Sequence, residues 1–151
     1  MSNWVQVKGI VKKGYGVASG KSGNPRFPQG TIEIQKPFFS ELGVKLDQYF
    51  SGTINLSISP HEYEIINAKY TCKNLQWLPD NPAEDFSFFD CRIRRDTGEV
   101  LDGLIYYPHP ETKPEHFQSA DILEIITTYV NDLKYGDELI LEVDSQQINI
   151  Y

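Results

Sequence analysis

Phe88-Phe89-Asp90-Cys91-Arg92-Ile93-Arg94-Arg95, then Asp96-Thr97-Gly98, then Glu99-Val100-Leu101-Asp102-Gly103-Leu104-Ile105-Tyr106-Tyr107 is the stretch that decides the fold class. Two runs rich in β-branched and aromatic residues flank a short polar turn, and Gly98 can take the left-handed conformation that a hairpin needs. Working outward, other segments alternate with period two. Trp4 to Val11 predicts a strand with Val5, Val7, Gly9 and Val11 on one face. Thr31 to Ile34 and Thr53 to Ile58 also read as strands. In the second, Ile54, Leu56 and Ile58 point one way, and Thr53, Asn55 and Ser57 the other. Ile122 to Thr127 and Glu138 to Val143 are two more β-rich runs. Helical signals are few: Pro37 to Leu46 predicts one short helix, with Phe38, Leu42 and Leu46 at four-residue spacing, and Tyr129 to Lys134 one turn. Many short strands with one or two short helices predict a mainly-β fold, a small barrel.

The length of 151 residues suits one domain. Composition is that of a globular chain, 40% apolar and 23% charged, which excludes a largely disordered or coiled-coil protein. The longest apolar run, Leu104 to Tyr107, is far shorter than a membrane-spanning helix requires. The residues after Met1 carry no apolar signal core, so a cytoplasmic chain with no membrane partner is expected. Cys72 and Cys91 fit no metal-ligand spacing and read as two buried thiols.

The net charge of −7 argues against a general nucleic-acid binder. Its distribution is uneven: Lys8, Lys12, Lys13, Lys21 and Arg26 fall in the first 32 residues, which hold no Asp or Glu. Such a start could attract a small polyanion such as a nucleotide. The plainer reading is a lysine-bearing edge strand, in which charge discourages pairing with another sheet.

Gly14-Tyr15-Gly16-Val17-Ala18-Ser19-Gly20-Lys21-Ser22 is not a Walker loop, because Tyr15 stands where that pattern needs glycine and Pro25 and Pro28 follow instead of a helix. A glycine-rich turn after a strand can still cradle phosphate with backbone N–H groups, or be a plain β-turn. The Pro108 to Asp121 stretch, with Pro108, Pro110 and Pro114, reads as a functional loop or flap. His109, Glu111, Glu115 and His116 on it fit no standard metal spacing and read as a solvated loop. Asp137 is expected to cap its turn. No local Ser-His-Asp signature occurs.

Taken in order, several segments resemble the archaeal-type CTP-dependent riboflavin kinases. They are Gly14-Tyr15-Gly16 after the first strand, Leu42-Gly43 at a helix end, Gly52-Thr53-Ile54-Asn55-Leu56, the hairpin with Asp102-Gly103-Leu104-Ile105, Leu123-Glu124-Ile125-Ile126, and Gly136-Asp137. The resemblance implies a six-stranded cradle-loop barrel that transfers the CTP γ-phosphate to the riboflavin 5′-hydroxyl, giving FMN. It implies nucleotide contacts from Gly14, Tyr15, Gly16, Val17, Ala18 and Ser19. It assigns Mg²⁺ to Thr53 and Asn55, and the flavin to Glu124 with Thr112 or His116; a carboxylate at Glu124 could orient the attacking hydroxyl. The two metal candidates lie two apart on one strand and so share a face, and neutral oxygen ligands suit Mg²⁺ when phosphates bring the charge. An alternating, solvated strand face would produce the same pattern. Thr127-Thr128 replaces the family's Ala-Pro, and the Leu-Arg stretch beyond it is missing. The alternative expectation is a non-catalytic barrel that binds a nucleotide, a flavin or a protein partner.

Overall fold

The computed structural model describes residues 3–12, 31–80, 82–111, 119–130 and 132–151. In chain order they form β1 (Trp4–Lys12), α1 (Thr31–Glu41), β2 (Ile54–Ser57), β3 (Tyr63–Ile65), β4 (Tyr70–Leu75), β5 (Glu84–Arg94), β6 (Val100–Pro108), β7 (Ile122–Ile126), β8 (Glu138–Asp144) and β9 (Ile148–Ile150). The fold is mainly β. One sheet runs β4-β5-β6-β7-β2-β1-β8, and a further pairing of β5 with β8 closes six of its strands into a ring. The long strand β5 makes this possible: its first half pairs with β4 and its second half, Cys91 to Arg94, with β8, while β6 takes the whole of the other edge. A separate ribbon joins β3 to β9. No described helix is long and apolar enough to cross a membrane.

The β5–β6 hairpin forms where the sequence predicts it. Gly98 N–H donates to the Arg95 carbonyl (2.9 Å) and Arg95 N–H to the Glu99 carbonyl (2.9 Å), with Gly98 at φ +90°. This is a type I turn closed by a left-handed residue, the conformation that glycine adopts without a Cβ penalty.

Period-two alternation around a closed ring sorts side chains into two layers. Inside lie Val7, Val11, Leu56, Phe89, Cys91, Ile93, Ile105, Leu123, Ile125, Leu141 and Val143, all buried. Outside, α1 covers a second apolar layer in which Ile32 and Phe39 meet Phe86, Phe88, Tyr106 and Ile126. Phe39 stands edge-on to both Phe86 (5.1 Å) and Phe88 (5.0 Å). Cys72 and Cys91 are free and buried, as expected.

Three expectations are corrected. Thr31 to Ile34 is the first turn of α1, not a strand, and the helix ends at Glu41 rather than running from Pro37 to Leu46. Its buried residues are Ile32, Gln35 and Phe39, a helical spacing, whereas Leu42 is 53% exposed. Burial of Ile32 and Phe39 against the aromatic sheet face outweighs the roughly 3 kcal/mol that an interior proline costs a helix. The basic first strand is not an edge either, since β1 pairs with β2 on one side and β8 on the other.

Glu142 fastens the closure. It is buried, and its Oε2 accepts from Gln6 Nε2 (2.6 Å) and Arg94 Nε (3.0 Å), while Arg92 Nε lies 2.9 Å from Oε1. The Gln6 hydrogen bond above all, then the Arg94 and Arg92 charges, hold its carboxyl below the ordinary value, against the opposing effect of burial. A depressed folded pKa adds stability that is present above the unfolded value, about 4.3, and is lost as pH falls through the folded one. Thermal melts should therefore show Glu142→Gln less stable at pH 7 by about 2 kcal/mol. They should also show a smaller loss than wild type between pH 5 and 3; equal acid slopes would remove Glu142 from this role. Gly103 supplies a second check, because a Cβ there would lie 2.5 Å from the Ile126 carbonyl oxygen on the neighbouring strand. Gly103→Ala should cost about 2–3 kcal/mol by overpacking, and an unchanged melting temperature would contradict the packing.

Candidate functional site

Antiparallel partners present their side chains on the same face, so the register defines a row. Lys12 of β1 stands opposite Asn55 of β2, Asn55 opposite Glu124 of β7, and Glu124 opposite Tyr106 of β6. Neighbours of each in sequence, Val11, Leu56, Leu123, Ile125 and Ile105, fill the ring interior. The row consequently lies on the outer face, beside the layer covered by α1. Thr53, two residues before Asn55, donates from Oγ1 to Glu124 Oε1 at 3.3 Å. Thr53, Asn55 and Glu124 are each half-buried, which keeps them fixed yet open to a ligand.

The structure thus brings together Thr53, Asn55 and Glu124, and adds the Lys12 ammonium at the end of the row. Gly14, Tyr15, Gly16, Val17, Ala18 and Ser19 lie outside the described residues, as do Thr112, Glu115 and His116. In sequence, Gly14 stands two residues beyond Lys12.

On its β6 side Glu124 faces a cleft of about 340 Å³ lined by Tyr63, Ile65, Tyr106, Tyr107, Pro108 and Ile122 among others. The volume falls within the range of small-molecule sites. Burial first, then Tyr107 and the Glu124 carboxylate, hold the Tyr63 phenol well above its ordinary pKa. Burial, then Glu124 and Glu84, do the same to Tyr106. Both phenols remain protonated donors near neutral pH, leaving Glu124 as the group in this row able to carry negative charge. Tyr106 also donates to Gln35 Oε1 of α1 (2.9 Å), so the helix fixes one wall of the cleft. Before the start of β2, Ser51 Oγ donates to Glu33 of α1. Sequence reading missed Tyr63 and Tyr106: both resemble core aromatics, and only the pairing places them beside Glu124.

The donor set tests the fit of Mg²⁺. No group of three His, Cys, Asp or Glu side chains able to hold a metal occurs among the described residues. A hydroxyl, an amide oxygen and a carboxylate on adjacent strands are oxygen donors, the kind that Mg²⁺ takes when phosphates complete its shell. The fit is chemical: Thr53 and Asn55 are the residues that would hold the ion, with the Glu124 carboxylate beside them.

His109 serves a different purpose. Its Nε2 lies 2.7 Å from Ser87 Oγ and its Nδ1 3.1 Å from Glu111 Oε1. The Ser87–His109–Glu111 series resembles a nucleophile relay, yet Ser87 is 2% exposed and shares its hydroxyl with Thr71 (3.1 Å). It anchors the start of the proline-rich segment. Asp137 caps its turn as expected, accepting from Lys134 N–H at 2.9 Å.

No protein-family model matches the chain. A search of curated proteins returns no significant match.

Proposed function

We propose that this chain is a magnesium-dependent phosphotransferase of the CTP-dependent riboflavin kinase kind, built on a cradle-loop barrel and using CTP or a related nucleoside triphosphate. The observation that carries this reading is the position of Glu124. It lies between the oxygen donors Asn55 and Thr53 on one side and an aromatic cleft on the other, with Lys12 at the far end of the row. A phosphate-bearing ligand and a flat acceptor can occupy neighbouring places with the carboxylate at their boundary.

In the proposed reaction the riboflavin 5′-oxygen forms a bond to the γ-phosphorus as the bond from that phosphorus to the β,γ-bridging oxygen breaks. The products are FMN and the nucleoside diphosphate, and the hydroxyl proton leaves to the Glu124 carboxylate or to water. Bound Mg²⁺ would neutralise charge on the transferring phosphoryl group. Lys12 attracts the polyphosphate, and Tyr63, Tyr106 and Tyr107 hold the isoalloxazine ring. Rate enhancement then comes mainly from alignment and charge neutralisation.

Incubation with riboflavin, Mg²⁺ and CTP or ATP should yield FMN on chromatography. Asn55→Ala should weaken Mg²⁺-nucleotide binding about 10-fold or more without lowering the melting temperature, in line with losses seen on disturbing metal sites. Glu124→Gln should lower kcat about 100-fold while nucleotide binding persists. Ligand binding without FMN from any nucleotide would reduce the protein to a binding module, and unchanged binding in Asn55→Ala would remove that residue from the site.

A further inference from the structure

Phe50 and Tyr129 are large aromatics that belong to neither apolar cluster. Phe50 is 44% and Tyr129 65% exposed. Their rings touch each other, centroids 5.1 Å apart and tilted by 55°, so each leaves part of a face open to solvent. They are held in place rather than loosely displayed, because Phe50 N–H donates to the Thr127 carbonyl at 2.9 Å. That bond carries contact between the β2 and β7 chains past the ends of the two strands. Tyr129 follows β7 by three residues, and Phe50 precedes Thr53 by three. Three residues span at most about 11 Å of extended chain, so the aromatic pair sits within a nucleoside's reach of the oxygen donors.

We propose that Phe50 and Tyr129 form a stacking platform for the base of the nucleoside triphosphate. This inference rests on the phosphotransferase reading of the preceding subsection and extends it to substrate choice. Stacking recognises the π-face that every base has, so it discriminates weakly between bases. Purine nucleotides, with their larger rings, should accordingly serve as well as CTP. The pair's place within about 11 Å of chain from Thr53 suits the base of a nucleotide whose phosphates meet Thr53, Asn55 and Lys12.

Calorimetric titration of the whole chain with MgATP, MgCTP and magnesium tripolyphosphate tests the idea. Wild type should bind ATP at least as tightly as CTP. Phe50→Ala and Tyr129→Ala should each weaken both nucleotides about 10-fold, the range found for loss of one base-stacking partner, and leave tripolyphosphate unaffected. Tyr129→Phe should restore the affinity. Undiminished nucleotide binding in both alanine variants, with tripolyphosphate still bound, overturns the platform and leaves the phosphotransferase reading standing. Absence of binding by wild type to any of the three probes overturns both. A change of oligomeric state in the variants by sedimentation, with nucleotide affinity intact, would make the pair a contact between copies and also overturn the proposal.

Discussion

Four residue pairs, Cys91–Val143, Arg92–Glu142, Ile93–Leu141 and Arg94–Ile140, join β5 to β8, and the ring closes through them. Closure covers the otherwise free edge of β8 and that of the second half of β5, and gives every ring strand an inside and an outside. The apolar residues of the interior set the register, since a slip by one would turn the whole set outward. Glu142 adds a polar lock on the outer side, tying β1 to β5 through Gln6, Arg92 and Arg94, while Trp4 stacks on the Arg92 guanidinium at 4.1 Å.

The same register composes the candidate site. With β1 held between β8 and β2, Lys12 falls opposite Asn55, and β2 in turn brings Asn55 opposite Glu124. Neither the lysine nor the amide nor the carboxylate is distinctive alone. Their alignment across three strands, with Tyr106 on a fourth, turns a polar outer surface into a graded one: cation, amide, carboxylate, phenol. Helix α1 braces the phenol end through Gln35 with Tyr106, and it also meets the segment before β2 through Glu33 with Ser51.

Local signals were legible in the sequence where the structure is local. The hairpin turn at Gly98, the alternating faces of β1 and β2, and the cap by Asp137 each depend on a few neighbouring residues. Helix α1 was not legible, because Ile32 and Ile34 alternate like a strand and Pro37 suggests a helix start rather than its interior. Its helical state is set by the aromatic sheet face it covers, residues more than 40 positions away. Strands β3, β4 and β9 carry little periodicity, because many of their residues are polar or exposed. Within the site, spacing shows that Thr53 and Asn55 share a strand face, while their choice as a pair rests on the family resemblance. The presence of Glu124 beside them, 69 positions after Asn55, is a product of the closed topology and was reached in sequence only through the family resemblance.

In the proposed site the outer-face oxygens of Thr53 and Asn55, beside the Glu124 carboxylate, meet one divalent cation and the phosphates it carries. Mn²⁺ accepts the same oxygen donors and broadens the NMR signals of nearby nuclei. In an ¹⁵N-labelled sample, substoichiometric Mn²⁺ with a nucleoside triphosphate should broaden the amides of Thr53, Asn55, Glu124 and Lys12 together. Broadening centred elsewhere, such as on His109 and Glu111, with those four amides sharp, would contradict the account.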